Sequence, residues 1–306
     1  MGALPPCDGV LIAGPTACGK SAFALDLAQA ANGAIVNADS MQVYRELRIL
    51  SARPSAHDEA LVPHLLYGHV PAAERYCLGR YRVEAGEALA KARAMGRLPI
   101  FVGGTGMYFN ALTHGIAEIP AIPDRVRTAA RERIAEIGVA ALHAELARID
   151  PASASSLRPS DPQRVLRAYE VFEATGKSLI EWQRQPSLPP VLAGLRLVKY
   201  VLDIPRTMLR ARISSRFAAM MAGGAMAEAA GLGGLDPTLP AAKMLGLREL
   251  VALAGGRMAE AEAVELAVTA TRQFAKRQVT WFRHRMADWC WVSWQADQAD
   301  QAEPGV

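Results

Sequence analysis

The chain has 306 residues, is 51% hydrophobic and only 6% aromatic, and carries a formal net charge of +4. That composition supports a large core in about two domains, holds no apolar run long enough to cross a bilayer, and permits a nucleic-acid partner without requiring one. Four scattered cysteines without a C-x-x-C pair offer no zinc site and suit a reducing compartment, and the start lacks a basic, apolar leader, so a cytoplasmic location is expected.

The first element is the apolar run Val10-Leu11-Ile12-Ala13, expected as a strand. It leads into Gly14-Pro15-Thr16-Ala17-Cys18-Gly19-Lys20-Ser21 and a helix-like stretch over residues 22–31. This is the G-x-x-x-x-G-K-[ST] pattern in the strand-and-helix context it needs. Its glycines let successive N–H groups turn inward around a phosphate, and the helix start adds partial positive charge. Lys20 supplies a full charge, and the Ser21 hydroxyl is placed to ligate Mg2+. The motif indicates a phosphate chain without saying which one. Cys18 is read either as a small residue tolerated in the loop or as a thiol of lowered pKa, open to oxidation, beside Lys20 and a helix N-terminus.

Two further apolar runs, residues 34–37 and 99–102, end in polar turns: Ala38-Asp39-Ser40-Met41-Gln42-Val43-Tyr44 and Gly103-Gly104-Thr105-Gly106-Met107-Tyr108. Both read as buried parallel strands. A helix over residues 81–94, with Val83, Ala88, Leu89 and Ala92 at helical spacing, separates them. The alternation predicts an α/β fold with a doubly wound parallel sheet. Ligands in such sheets bind beyond the carboxyl ends of the strands, so the phosphate loop, Asp39 and Thr105 should converge on one rim.

Between residues 116 and 190 the strand signal disappears. Pro123-Asp124 opens a helix closed by Gly138, residues 139–149 form a second that Pro151 stops, and Asp161-Pro162 caps a third that Gly176 ends. Residues 186–190 read as a linker. A strand over 195–202, a helix over 206–221 stopped by Gly223-Gly224, a mobile loop over 231–240 and a long helix over 259–285 follow. Val264, Val268, Thr271, Phe274, Gln278 and Phe282 trace the inner face of that last helix, with Arg272, Lys276 and Arg283 on another. A final strand over 289–294 and a disordered tail complete the reading.

The strand at 99–102 ends without the acidic residue that a P-loop ATPase usually carries there. The nearest acid is Asp39, which suits a proton acceptor on the phosphate rim, a Mg2+ ligand or a turn cap. Thr105 suits either a contact to a phosphate oxygen or nucleophile, or a hydroxyl that satisfies its own turn. In the third insertion helix Gln163, Arg167 and Glu170 share a polar face, flanked by Arg164, and Val165, Tyr169 and Phe172 an apolar one. The run Arg272–Arg283 mixes cations, Gln and aromatics, a combination that contacts phosphates and stacks on unpaired bases.

These segments in this order resemble the tRNA dimethylallyltransferases, also called tRNA isopentenyltransferases, over nearly the whole chain. The resemblance implies a P-loop-type catalytic core, residues 1–115 and 191–306, with an all-helical insertion, residues 116–190, that binds the tRNA anticodon stem-loop. It implies transfer of a dimethylallyl group from dimethylallyl diphosphate to N6 of the adenine 3′ to the anticodon, in a bacterial-type monomer that uses Mg2+ at Ser21. The loop Gly14, Pro15, Thr16, Ala17, Cys18, Gly19, Lys20 and Ser21 then holds diphosphate, with Arg212 or Arg216 as an added clamp. Asp39 becomes the general base, Thr105 a contact to the reacting groups, and Ser40, Met41 and Gln42 the lining of the adenine pocket. Expected tRNA contacts are Arg127, Gln163, Arg164, Val165, Leu166, Arg167, Lys243, Arg248, Lys276, Arg277, Gln278, Trp281 and Arg283. Leu247 stands where Tyr is common, and Leu65 where a second His is usual after His64, so neither Leu247 nor His64 is assigned a role. The alternative is a P-loop kinase of a small hydroxyl compound, which leaves the insertion and the basic run unexplained.

Overall fold

The structure is a computed structural model that describes residues 4–184 and 188–293. It divides into two compact units, residues 1–112 with 191–306, and residues 113–190. The expected tail, Trp294 and residues 186 and 187 of the linker lie outside the described residues.

The larger unit is built on a six-stranded sheet, every pair parallel, in the order β3-β2-β4-β1-β5-β6. The strands are β1 (Gly9–Ala13), β2 (Gly33–Asn37), β3 (His64–Leu65), β4 (Leu98–Gly103), β5 (Leu197–Asp203) and β6 (Cys290–Ser293). Every residue of β1 and β2 is buried, so these strands read as continuous apolar runs rather than alternating ones. The register sets Ala13 beside Gly103 and Asn37 beside Val102. As a result β1, β2 and β4 all end at one edge of the sheet, with the phosphate loop and the turns after Asn37 and Gly103 rising from it.

Helix α1 (Lys20–Ala30) follows β1, α2 (Ala56–Leu61) precedes β3, α3 (Leu78–Ala94) precedes β4, and α4 (Gly106–Thr113) follows it. Helix α3 buries Tyr81, Ala85, Ala88, Leu89 and Ala92. Val83, expected on that face, is 56% exposed. Tyr81 anchors the helix in its place, because its ring stacks on Tyr108 with centroids 3.6 Å apart. The two-residue β3 and the short α2 left no periodic signal, being shorter than the window in which periodicity registers.

After β5 come α9 (Arg206–Ala222), α10 (Ala225–Gly231), α11 (Leu247–Ala254) and α12 (Glu260–Arg285). Helix α12 buries Val268, Thr271, Gln278 and Phe282 from the expected inner face. In the loop before α11, Thr238 is bonded to Asp236 and accepts from Arg75 Nη2 at 2.9 Å.

The smaller unit is helical, with α5 (Asp124–Ile149), α6 (Pro151–Ser156), α7 (Pro162–Thr175) and α8 (Leu179–Arg184). Helix α5 spans both expected helices but breaks at Gly138, whose φ of 79° is non-helical. Pro151 starts α6 rather than simply stopping α5, since Asp150 caps Ser153 N–H at 3.0 Å and proline suits a first helical position. Asp161 caps α7 through Arg164 N–H at 3.1 Å, and Gly176 closes it at φ 65°. Leu146, Ala154 and Ala168 form the core of this unit. Glu170, expected on the polar face of α7, is buried and lies 3.8 Å from Arg167.

Candidate active site

The loop leaving β1 bends sharply because Ala17 takes φ 65° and Gly19 takes φ 93°. Left-handed backbone is uncommon for a residue with a Cβ, so Ala17 is held there by its surroundings. Helix α1 then starts with no side-chain cap and no acid in its first turn. Its leading N–H groups and positive dipole end are thus turned toward whatever anion occupies the loop.

Positive charge gathers at the same loop. Lys20 Nζ rests on the Pro15 carbonyl at 3.4 Å, Arg212 Nη1 donates to the Cys18 carbonyl at 3.3 Å, and Arg216 donates to the Thr16 hydroxyl. Neither Lys20 nor Arg216 pairs with a carboxylate among the described residues. Burial draws the Arg216 guanidinium below its usual range, against the opposing pull of Cys18 and Asp39. Arginine starts so high that it stays cationic near neutrality. A half-buried cation beside uncapped N–H groups is an arrangement that a phosphate anion completes.

Cys18 corrects one expectation. Its side chain is wholly buried, and burial pushes the thiol pKa up despite Lys20 and Arg216 nearby. Desolvation of the thiolate outweighs the neighbouring charge, so the thiol is neither acidified nor accessible to oxidants. Gly14 leaves room for it, since a Cβ there would lie 2.6 Å from the sulfur.

Asp39 stands just past β2 in a rigid turn. Its Oδ1 accepts Met41 N–H at 2.9 Å, and its backbone N–H donates to Asn37 Oδ1 at 2.8 Å. Asn37, fully buried, donates in turn to the carbonyls of Asp39 and Leu66 at 2.9 and 3.1 Å. Sequence reasoning passed over Asn37, although a polar residue closing an apolar strand was a usable signal. Thr105 joins this turn to the one after β4: its hydroxyl accepts Ser40 N–H at 2.9 Å, and its own N–H donates to the Ala38 carbonyl at 3.2 Å. Gly103 permits that crossing, because a Cβ there would sit 2.0 Å from the Ala38 oxygen.

One point ties the carboxylate to the phosphate loop. A Cβ on Gly104 would lie 3.3 Å from Asp39 Oδ2, 3.5 Å from the Gly14 carbonyl oxygen and 2.3 Å from Gln278 Nε2. Asp39 Oδ2 and the Gly14 carbonyl oxygen therefore approach the same glycine on the rim of the sheet. The charge of Asp39 also adds to burial in raising the pKa of the Tyr67 and Tyr108 hydroxyls above the usual range, so both stay protonated.

The remaining expected residues divide. Ser40, Met41 and Gln42 are half-buried near Asp39, and the Gln42 amide donates to the Ser51 and Ala52 carbonyls at 3.0 and 2.8 Å, holding its own loop. Lys243, Arg248, Lys276, Arg277 and Arg283 are exposed, as are Gln163 and Arg164 in the smaller unit, where Arg127, Leu166 and Arg167 are half-buried. Val165 is 0% exposed, so its side chain has no surface to offer a partner. Gln278 is likewise buried, its amide spent on the protein: Oε1 accepts Thr16 N–H and Nε2 donates to the Gly104 carbonyl, both at 2.9 Å. Those two withdraw from the expected RNA contacts. Trp281 is half-buried and packs on Gly106, where a Cβ would lie 2.4 Å from its ring. Leu247 is buried, and His64, on β3, is bonded to the Val62 carbonyl at 2.9 Å.

Fold and site together define an α/β protein of the phosphate-loop type, with a carboxylate, rather than a strand-end metal acid on β4, facing the loop. The family model described as IPP transferase matches residues 42–285, and that described as isopentenyl transferase matches residues 8–61. The chain is 52% identical to the tRNA dimethylallyltransferase of Rhodopseudomonas palustris, over 95% of this chain and 90% of that protein. It is also 52% identical to that of Azorhizobium caulinodans, over 92% and 90%. Among solved structures, the full-length tRNA isopentenylpyrophosphate transferase of Bacillus halodurans is 31% identical, covers 95% of this chain and 93% of its own, and superposes with a TM-score of 0.66. A eukaryotic dimethylallyltransferase acting on tRNA is 25% identical, covers 96% and 75%, and gives a TM-score of 0.76. The chain belongs to the tRNA dimethylallyltransferase family.

Proposed function

We propose that this protein transfers the dimethylallyl group of dimethylallyl diphosphate to N6 of the adenine 3′-adjacent to the anticodon of a tRNA. The N6 lone pair forms the bond to C1 of the donor while the C1–O bond breaks, and its electron pair leaves with diphosphate. The N6 proton passes to Asp39 Oδ2. The observation that supports the reading is that Asp39 Oδ2 and the Gly14 carbonyl oxygen both lie within 3.5 Å of one point beside Gly104, the proximity that a base next to a leaving-group cradle requires.

Diphosphate gains negative charge as it departs, next to Lys20, Arg216 and the uncapped start of α1. Stabilisation by these groups grows toward the transition state. Thr105 holds the Ser40 turn and with it the orientation of Asp39. Ser21, exposed in the first turn of α1, offers a hard oxygen donor. A hydroxyl oxygen of this kind suits Mg2+, a hard cation that keeps several waters and takes oxygens of the substrate's phosphates. When bound there, the ion supplies charge to neutralise the leaving group.

The adenine amine is out of reach in a stacked base, so the target nucleotide must be everted. The exposed cations of α12, with Lys243 and Arg248, and the polar residues of α7 with Arg127 suit the phosphates of an anticodon stem-loop. No helix among the described residues is long and apolar enough to cross a membrane. The test is incubation with unmodified tRNA and labelled dimethylallyl diphosphate, then digestion and identification of the modified nucleoside. Label in N6-dimethylallyladenosine beside the anticodon is the expected result. ATP hydrolysis without tRNA, and no label transfer, would return the kinase reading.

A further inference from the structure

We propose that Gln278 is a positioning residue that locks the phosphate loop to the turn carrying Thr105, and so sets the distance between leaving group and base. The inference rests on the reading of residues 14–21 as a diphosphate cradle and assigns α12 a part in it.

Several observations converge on this amide. Gln278 is 7% exposed and sits on the inner face of a helix whose next residues outward are solvent-exposed cations. Its oxygen accepts the N–H of Thr16, the second residue after the glycine that opens the loop, and its nitrogen donates to the carbonyl of Gly104, immediately before Thr105. The two partners stand 262 and 174 residues away in sequence, so no local turn imposes the contact. Thr16 is also held by Arg216 through its hydroxyl. Finally, Gly104 lacks the Cβ that would lie 2.3 Å from Gln278 Nε2.

The chemistry requires both ends of an amide. Thr16 presents a donor and Gly104 an acceptor, so the bridging group must accept with one atom and donate with the other. Glutamate at this position accepts from Thr16 but, ionised, has nothing to give Gly104, and it adds negative charge beside the diphosphate. Methionine keeps the length and volume and removes both bonds. Each bond joins a loop to the sheet rim through a side chain from another layer, which is the kind of support that keeps reacting groups in register.

The experiment compares wild type with Gln278→Met, Gln278→Glu and Gly104→Ala in full-length protein, reading inorganic pyrophosphate affinity, tRNA affinity, and kcat and KM for dimethylallyl diphosphate. Gln278→Met is expected to weaken pyrophosphate binding and lower kcat/KM for the donor, each on the order of tenfold, for two lost hydrogen bonds partly compensated by water. Gln278→Glu loses more than Gln278→Met, Gly104→Ala, whose Cβ also crowds Asp39 Oδ2 at 3.3 Å, loses at least as much as Gln278→Met, and tRNA affinity stays within twofold for both Gln278 variants. A Gln278→Met protein that binds pyrophosphate and turns over like wild type overturns the proposal, as does a defect confined to tRNA affinity. If a variant fails to fold, judged by its thermal midpoint, the remaining two decide. Failure of wild type to bind pyrophosphate would instead remove the cradle itself.

Discussion

Replacing Asp39 by Asn tests the proposed base with little disturbance of the fold. The Oδ1 bond to Met41 N–H survives in the amide, and Asn37 continues to hold the Asp39 backbone on both sides. Folding stability should therefore change by about 1 kcal/mol or less. The amide nitrogen then takes the place of Oδ2, near Gly104, and turns a proton acceptor into a donor facing the amine. Loss of a positioned general base costs on the order of 10²- to 10⁴-fold, or about 3–5 kcal/mol of barrier. The assay is single-turnover transfer of labelled dimethylallyl to unmodified tRNA at saturating donor and tRNA, with tRNA and pyrophosphate affinities measured separately. A rate within tenfold of wild type, or a defect located wholly in tRNA affinity, refutes the assignment.

Removing the half-buried cation in Arg216→Ala should weaken inorganic pyrophosphate binding by roughly ten- to a hundredfold, the value of a charged hydrogen bond, read by calorimetry; an unchanged constant counts against the clamp. Gly103→Ala drives a Cβ to 2.0 Å from a backbone oxygen, which exceeds the ordinary overpacking cost of about 1–3 kcal/mol, so a melting scan should show the midpoint lowered by several degrees. Alkylation mapped by peptide mass should label the exposed Cys77 and Cys290 in native protein and reach Cys18 only after unfolding. The bonds from Arg196 hold Asp8 at about 2. Its folded pKa is depressed, so the stabilisation is present above the unfolded value of about 4 and lost as pH falls toward 2. Asp8→Asn should therefore show a slightly flatter acid unfolding limb at low salt, and the difference should shrink at high salt.

The legible parts of the site were those written in contiguous residues. The phosphate loop shows itself because close backbone approach needs glycines at set spacing and a strand and helix on either side. The turns carrying Asp39 and Thr105 show themselves because each interrupts a short apolar run. Local patterns were less informative where a residue's environment came from another layer. Val83 reads as part of the inner face of α3, but it is exposed, and the buried face runs instead through Tyr81, whose ring stacks on Tyr108. Glu170 matched a polar stripe yet lies buried beside Arg167. Gln278 falls both on the inner face of its helix and within a run that reads as RNA-binding, and only its bonds to Thr16 and Gly104, each from another layer, decide between the two.

From its order of residues alone, this chain specified a parallel α/β core, a helical segment within it, a phosphate loop and an acid on the same rim, since these follow from periodicity, turn chemistry and strand-end topology. The packed molecule decided which way each side chain at that rim faces. It buried Cys18 and silenced its thiol, spent the Gln278 amide on two backbone partners, and brought Asp39 to the edge of the loop across Gly104. Hydrogen bonds between residues 174 and 262 positions apart have no local signature, because such partners acquire a common address only when the layers close on one another.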